Sequence, residues 1–162
     1  MFYLGLSKKQ IQAVERSITE KILIITGGPG VGKTAVVTRI LKLYEQYSKV
    51  TLTAAPTGRA AIRLQELAGV YASTVHRLLE CTGSFTFRKN RQNQLSCDLM
   101  VIDEFSMMDI HLTFALFQSL PSNTVLIIVG DPDQLPSVGP GNLLHVRPVS
   151  IFPSTNLIAN EF

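Results

Sequence analysis

"KILIITGGPGVGKT", Lys21–Thr34, is the stretch that decides the fold. An uninterrupted apolar run, rather than an alternating one, is the pattern of a strand buried on both faces, and here it stops abruptly at two glycines. Apolar positions resume with helical spacing beyond Thr34, which predicts strand, glycine-rich turn and then a helix over roughly Gly32–Tyr47. Residues Gly27–Thr34 match GxxxxGK[ST] in the strand-to-helix context that the motif needs. Glycines there permit positive φ and close backbone approach, so that successive N–H groups can wrap a phosphate. The new helix points its positive end at the anion. Lys33 has the reach for β and γ phosphates, and the Thr34 hydroxyl can ligate Mg²⁺. The expected nucleotide-binding set is Gly28, Pro29, Gly30, Val31, Gly32, Lys33, Thr34 and Ala35, with a nucleoside triphosphate and Mg²⁺ as the expected ligands. The plain alternative, a glycine-rich turn that binds nothing, does not account for Lys33 and Thr34 following at the motif's spacing.

The 162 residues, 46% hydrophobic and 17% charged, suit one globular α/β domain with a real core. No apolar run reaches the length of a membrane span, and Met1–Lys9 lacks a signal-peptide pattern. Cys81 and Cys97 have no CxxC spacing, so a reduced, cytoplasmic setting without a disulfide is expected. The net charge of +3 is unevenly spread: ten Lys/Arg face three acids in residues 1–64, and one Arg faces seven acids in residues 98–162. Such a split fits a polyanion surface beside a cation site, although an ordinary dipolar surface produces it too.

Further along, "LSKKQIQAVERSI" reads as an amphipathic helix opened by Ser7, with Gln10 at the capping-box position. "VTLTAA" (50–55), "DLMVID" (98–103) and "TVLIIV" (124–129) read as three more strands. Thr57 can cap a helix through about Ala68, Ser73 or Thr74 can cap the short "TVHRLLE", and an apolar helix falls near Met107–Leu120. Residues 81–97 break the pattern as a polar hairpin or insertion, and the tail after Gly141 is weakly patterned. Apolar strands alternating with helices predict a parallel sheet flanked by helices on both faces. The expected division is one nucleotide-binding domain over 1–145, with 146–162 as an irregular tail.

Asp103 ends the third strand and Glu104 follows it. Carboxylates at the tip of a parallel strand face the crevice where ligands bind. Asp103 would hold Mg²⁺ and Glu104 would polarise an attacking water as general base, a division of roles that fits hydrolysis. The bland reading is a strand-end cap, since "DEFSMMD" can also start a helix.

Five blocks now stand in order: "GGPGVGKT", "AAPTGRAAIRL" (54–64), "STVHRLL" (73–79), "VIDEFSMMD" (101–109) and "VGDPDQLPSVGPGNLL" (129–144). Together they resemble the RecD-like superfamily 1 DNA helicases, the group that includes the exodeoxyribonuclease V alpha subunit, over about residues 6–144. The resemblance implies a P-loop NTPase with a RecA-like sheet that couples ATP hydrolysis to movement along single-stranded DNA, in recombination and repair. It implies catalytic roles for Lys33, Asp103, Glu104 and Gln134, the last contacting the γ phosphate, and it places Thr34 and Asp103 on the metal. Gln10 would read the adenine edge, against the simpler view of a residue that only caps its own helix. Pro56, Thr57, Gly58, Arg59 and Arg63 would meet nucleic-acid phosphates, sequence-indifferently and with strong salt dependence. Thr74, His76 and Arg77 resemble a second DNA-contacting block; His76 reads equally well as a partly buried helix residue. The prolines Pro132, Pro136 and Pro140 would stiffen the loop that carries Gln134, allowing it to pass a two-state change from phosphate to DNA.

The family has a second RecA-like domain that supplies arginines to the transferring phosphoryl group, each worth about 10³–10⁵ in rate. After Gly141 the only arginine is Arg147, and "HVRPVSIF" departs from the family's usual helix. The expectation is one half of a two-domain motor: an excised first domain, a subunit completed by a partner, or a remnant that binds without turnover. Other P-loop ATPases indifferent to DNA, and a nucleotide-dependent DNA-binding or scaffold module, remain as rival classes.

Overall fold

The computed structural model describes residues 5–83, 86–131 and 159–161. Its main sheet is built from β1 (Ile22–Thr26), β2 (Thr51–Ala55), β3 (Ser73–Thr74), β6 (Leu99–Ile102), β7 (Val125–Gly130) and β8 (Ala159–Glu161), in the order β3-β2-β6-β7-β1-β8. Every pairing in it is parallel. The remaining strands, β4 (Cys81–Gly83) and β5 (Thr86–Phe87), form a separate antiparallel hairpin. The helices are α1 (Lys8–Thr19), α2 (Lys33–Gln46), α3 (Gly58–Ala68), α4 (Val75–Leu78) and α5 (Ile110–Ser119), and a 3-10 turn spans Phe105–Met107.

Alternate residues of the same strand feed different cores, which is why the strands read as continuous apolar runs. In β7, Ile127 and Val129 join Leu23 and Ile25 of β1 beneath α1, α2 and α3, packed on Val14, Val37, Ile40 and Leu64. Their neighbours Leu126 and Ile128 face the other way, onto Leu112 and Leu116 of α5 and onto Val75 and Leu79. The chain runs from β1 outward to β2 and β3 under one helical layer and returns to β6 and β7 under the other. That is the arrangement right-handed crossovers produce when the direction of winding reverses.

Most elements coincide with those read from the sequence, and the differences have local causes. The helix expected from Met107 starts at Ile110, because Asp109 caps it through a bond from the Leu112 N–H (2.8 Å), and residues 105–107 tighten into the 3-10 turn. Strands β3 and β8 were not read, being two and three residues long and largely polar. The polar stretch 81–97 does contain a hairpin, yet its end is not surface: Leu95 and Cys97 are buried in the α5 core. Cys97 lies against Thr124 with its thiol pushed up by burial, and Cys81 is exposed, both as free thiols.

The N-terminal ends of three strands are tied together by Asp98. Its carboxylate accepts from the Val50 N–H (2.9 Å), its own N–H donates to the Val50 carbonyl, and its carbonyl accepts from Val125. The bond from Val50 is the main reason its carboxyl titrates below the ordinary range, with Lys49 assisting. Ile127, fully buried at the centre of the sheet, should report on the core: Ile127→Ala should cost about 2–5 kcal/mol in urea unfolding with the slope unchanged.

Candidate nucleotide site

All parallel strands of the sheet end at the same edge, and the motifs gather there. Strand β7 separates β1 from β6, with Thr26 paired to Gly130 and Ile102 to Ile128. Gly27 and Asp103 therefore leave the sheet two strand spacings apart, about 10 Å, on either side of β7. The cleft between them has a volume of about 210 Å³, walled by Pro29, Gly30, Val31, Gly32, Lys33 and Thr34 on one side and by Asp103 and Glu104 on the other. Ala60, Arg63, Leu64 and Leu67 of α3 close its flank. Of the remaining expected residues, Gly28 supplies a carbonyl to Lys33, and Ala35 is exposed in the first turn of α2.

The loop's backbone explains its glycines. Gly30 and Gly32 have φ of +78° and +89°, where a Cβ is disfavoured. At Gly32 a Cβ would also lie 2.5 Å from the Gln10 amide nitrogen. Gly32 opens α2 without any side-chain cap, whereas Ser7, Thr57, Thr74 and Asp109 cap the other helices. The first N–H groups of α2 are thus without a side-chain partner, at the glycine-rich wall of the cleft, as an anion site requires. Lys33 Nζ donates to the carbonyls of Gly27 and Gly28 (2.9 Å to the latter), which holds the ammonium at the mouth of the loop.

Glu104 has φ of +53°, left-handed backbone for a residue with a full side chain, so the chain turns sharply at the end of β6. Both acids titrate above the usual carboxylate range. Burial is the leading cause for Asp103, opposed by the bond from the Glu104 N–H (3.0 Å) and by Lys33 and Arg63. Burial leads for Glu104 as well, followed by repulsion from Asp103, with Asp131 adding to it. Asp131, the residue after β7, is only 2% exposed. Crowded, partly dehydrated oxygen donors suit a hard divalent cation. Among the described residues no three acidic, His or Cys side chains form a complete cage. Mg²⁺ is ordinarily held by one or two carboxylates plus substrate phosphates. Thr34 and Asp103 are the residues that would hold it.

The other expected site residues fall into separate places. Gln134 lies outside the described residues, as do Pro132, Pro136 and Pro140. Arg63 lines the nucleotide cleft, while Arg59 is exposed one turn earlier on α3. Pro56, Thr57 and Gly58 form the β2–α3 junction, where the Thr57 hydroxyl accepts from the Ala60 N–H (3.2 Å) as a cap. Thr74 does the same for Arg77 (3.2 Å). His76 and Arg77 are exposed, and the His76 ring sits 6.2 Å from that of Phe87 on the hairpin. Gln10 is engaged at both ends of its amide: Oε1 accepts from the Ser7 N–H (2.8 Å) and Nε2 donates to the Val31 carbonyl (3.0 Å). Sequence reasoning had no signal for the contact with Val31 or for Arg63 in the cleft wall, since both depend on how helices pack.

A parallel, doubly covered sheet with an uncapped phosphate loop on one strand and an acid pair on another defines a RecA-like P-loop α/β fold. Within that class, the family described as AAA domain matches residues 10–140, so this chain belongs to it. It is 39% identical over 137 residues to the ATP-dependent RecD2 DNA helicase of Deinococcus radiodurans, covering 85% of the chain and 19% of that protein. Against the RecBCD enzyme subunit RecD of Mycolicibacterium smegmatis the identity is 36%, over 85% of the chain and 29% of the relative. In three dimensions it is similar to the Pif1 helicase from Candida albicans, with a TM-score of 0.58 at 24% identity over 83% of the chain and 34% of that structure. The chain spans about a fifth to a third of the length of these proteins. Among the described residues no helix is long and apolar enough to cross a membrane.

The raised acids give a stability prediction whose sign is fixed. A carboxyl with a raised folded pKa favours the fold fully below the ordinary carboxylate pKa and loses that contribution as pH rises through the folded value. At neutral pH the charged pair therefore costs stability, and Asp103→Asn should raise Tm by about 1–3 °C without added Mg²⁺. The gain should shrink as pH falls through the carboxylate range. Gly32→Ala should do the opposite, lowering Tm by about 3–8 °C through its left-handed backbone and the contact with Gln10.

Proposed function

We propose that this chain is the ATP-binding motor domain of a DNA helicase, binding Mg–ATP in the β1–β6 cleft and coupling its hydrolysis to movement along single-stranded DNA. The observation that carries the reading is the cleft itself, which sets the phosphate loop opposite Asp103 and Glu104. The similarity to RecD2 and RecD supports the helicase assignment, and with it a role in recombination and repair.

In this reading the uncapped N–H groups of α2 and the Lys33 ammonium hold the β and γ phosphates. Thr34 and Asp103 hold Mg²⁺, which when bound neutralises charge on the phosphate oxygens. Glu104, its carboxylate made more basic by burial and by neighbouring acids, takes the proton of the attacking water. Arg63, on the cleft's flank, adds positive charge beside the acids. Gln134 reports the γ phosphate. DNA lies over the β2–α3 and β3–α4 junctions, where Pro56, Thr57, Gly58, Arg59, Thr74, His76 and Arg77 offer backbone donors, hydroxyl protons and exposed charge. An arginine from a second motor domain or another subunit completes charge stabilisation, so turnover by this chain alone is slow and duplex unwinding does not occur.

The test is phosphate release from Mg–ATP with and without single-stranded DNA, against Lys33→Ala. Slow release, stimulated by DNA and reduced at least about 100-fold in the variant, is expected. Nucleotide binding without release would leave a binding or scaffold module, and release indifferent to DNA would favour an ATPase of another kind.

A further inference from the structure

From its place after "APTG", Arg63 reads as a nucleic-acid contact, yet it lines the nucleotide cleft. Helical spacing explains the difference. Ala61, Leu64 and Ala68 are the buried side of α3, and the last two share a core with Val36, Val37 and Ile40 of α2. Ala60, Arg63, Leu64 and Leu67 follow the i, i+3, i+4, i+7 pattern of one helix face, and that face borders the phosphate loop. The opposite wall is joined to the same helix through β2. The Asp103 N–H donates to the Ala54 carbonyl (3.0 Å), and three residues after Ala54 the Thr57 side chain caps α3. Arg63 is close enough to Asp103 and Glu104 to draw both carboxyls downward, as Lys33 does. The two cations are held differently. The Lys33 ammonium is bonded to the Gly27 and Gly28 carbonyls. Arg63 is exposed and joins neither Lys49–Asp98 nor Lys89–Glu80, the ion pairs among the described residues.

We propose that Arg63 is a ligand for the terminal phosphate of a nucleoside triphosphate, reaching from α3 into the cleft between the phosphate loop and the acid pair. The inference rests on the nucleotide-site reading above and adds to it the group that separates a triphosphate from a diphosphate. In that reading the terminal phosphate is the part of the ligand nearest Asp103 and Glu104, where added negative charge is least welcome. A cation on the flank offsets that repulsion, and among the described residues that line the cleft Arg63 is the one arginine. A guanidinium stays charged at every working pH, and its planar fork matches two phosphate oxygens. Because Arg63 belongs to the same chain as the loop, the contact needs no second motor domain, and it gives this chain alone a preference for the triphosphate.

The experiment is titration calorimetry with Mg–ADP and with the Mg²⁺ complex of an imido-bridged, non-hydrolysable ATP analogue. Wild type, Arg63→Gln and Arg63→Lys are measured, with Lys33→Ala as control. Arg63→Gln should weaken the triphosphate analogue about ten- to a hundredfold, the range for a hydrogen bond to a charged group, and leave ADP within about twofold. Arg63→Lys keeps the charge and loses the fork, so its affinity should fall between. Retained ADP binding also shows that the variants are folded. Lys33→Ala should weaken both ligands. Equal weakening of both by Arg63→Gln would overturn the proposal, because Arg63 would then shape the site as a whole. Unchanged binding of both would overturn it too, and a loss of oligothymidylate affinity in the same variant would assign Arg63 to nucleic acid. Failure of the wild type to bind either ligand would overturn the nucleotide-site reading itself. Wild-type binding of both ligands beside an unaffected variant would leave that reading standing and sink only the role of Arg63.

Discussion

The position of β7 between β1 and β6 is the constraint on which the site depends. Parallel pairing aligns the three strand ends at one edge, and strand spacing alone then sets the phosphate loop and the acid pair about 10 Å apart. Because β7 occupies the middle, whatever leaves its end emerges between the two halves of the cleft. Asp131, buried there and close enough to raise the Glu104 carboxyl, is the first residue of that exit.

Helix capping sorts the polar edge into two kinds of junction. At the starts of α3 and α4 a threonine hydroxyl satisfies the first turn, leaving its own proton and the neighbouring charges for a partner. At the start of α2 no side chain intervenes, and the unsatisfied donors are concentrated at one point. A helix end left without a cap forgoes about 1 kcal/mol of stability, and the packing of Val36, Val37, Ile40 and Leu41 offsets that loss. The loop's open end is thus sustained by the core beneath it.

What could be read from the sequence follows from how local each signal is. The phosphate loop was legible because its glycines, lysine and threonine act within eight consecutive positions. The four long strands were legible because burial on both faces removes polar residues from them. Ser73–Thr74 and Ala159–Glu161 are strands only by virtue of lying beside β2 and β1, so nothing in their own residues announces it. Leu95 and Cys97 were hidden in a polar context although they complete the core under α5. The bond from Gln10 to Val31 spans 21 positions, and Arg63 reaches the cleft only through the packing angle of α3. Signals carried by contiguous residues were visible in the sequence, and contacts between distant segments were not.

Glu104 combines two features that each work against folding: left-handed backbone and a carboxylate pushed toward neutrality. Glycine at this position would relieve the first and delete the second. Stability therefore offers no reason for glutamate at this position. A search for stabilising substitutions would therefore arrive at this position early. In that sense the end of β6 is a place where the local backbone and the local charge both oppose the shape, and the rest of the sheet holds it.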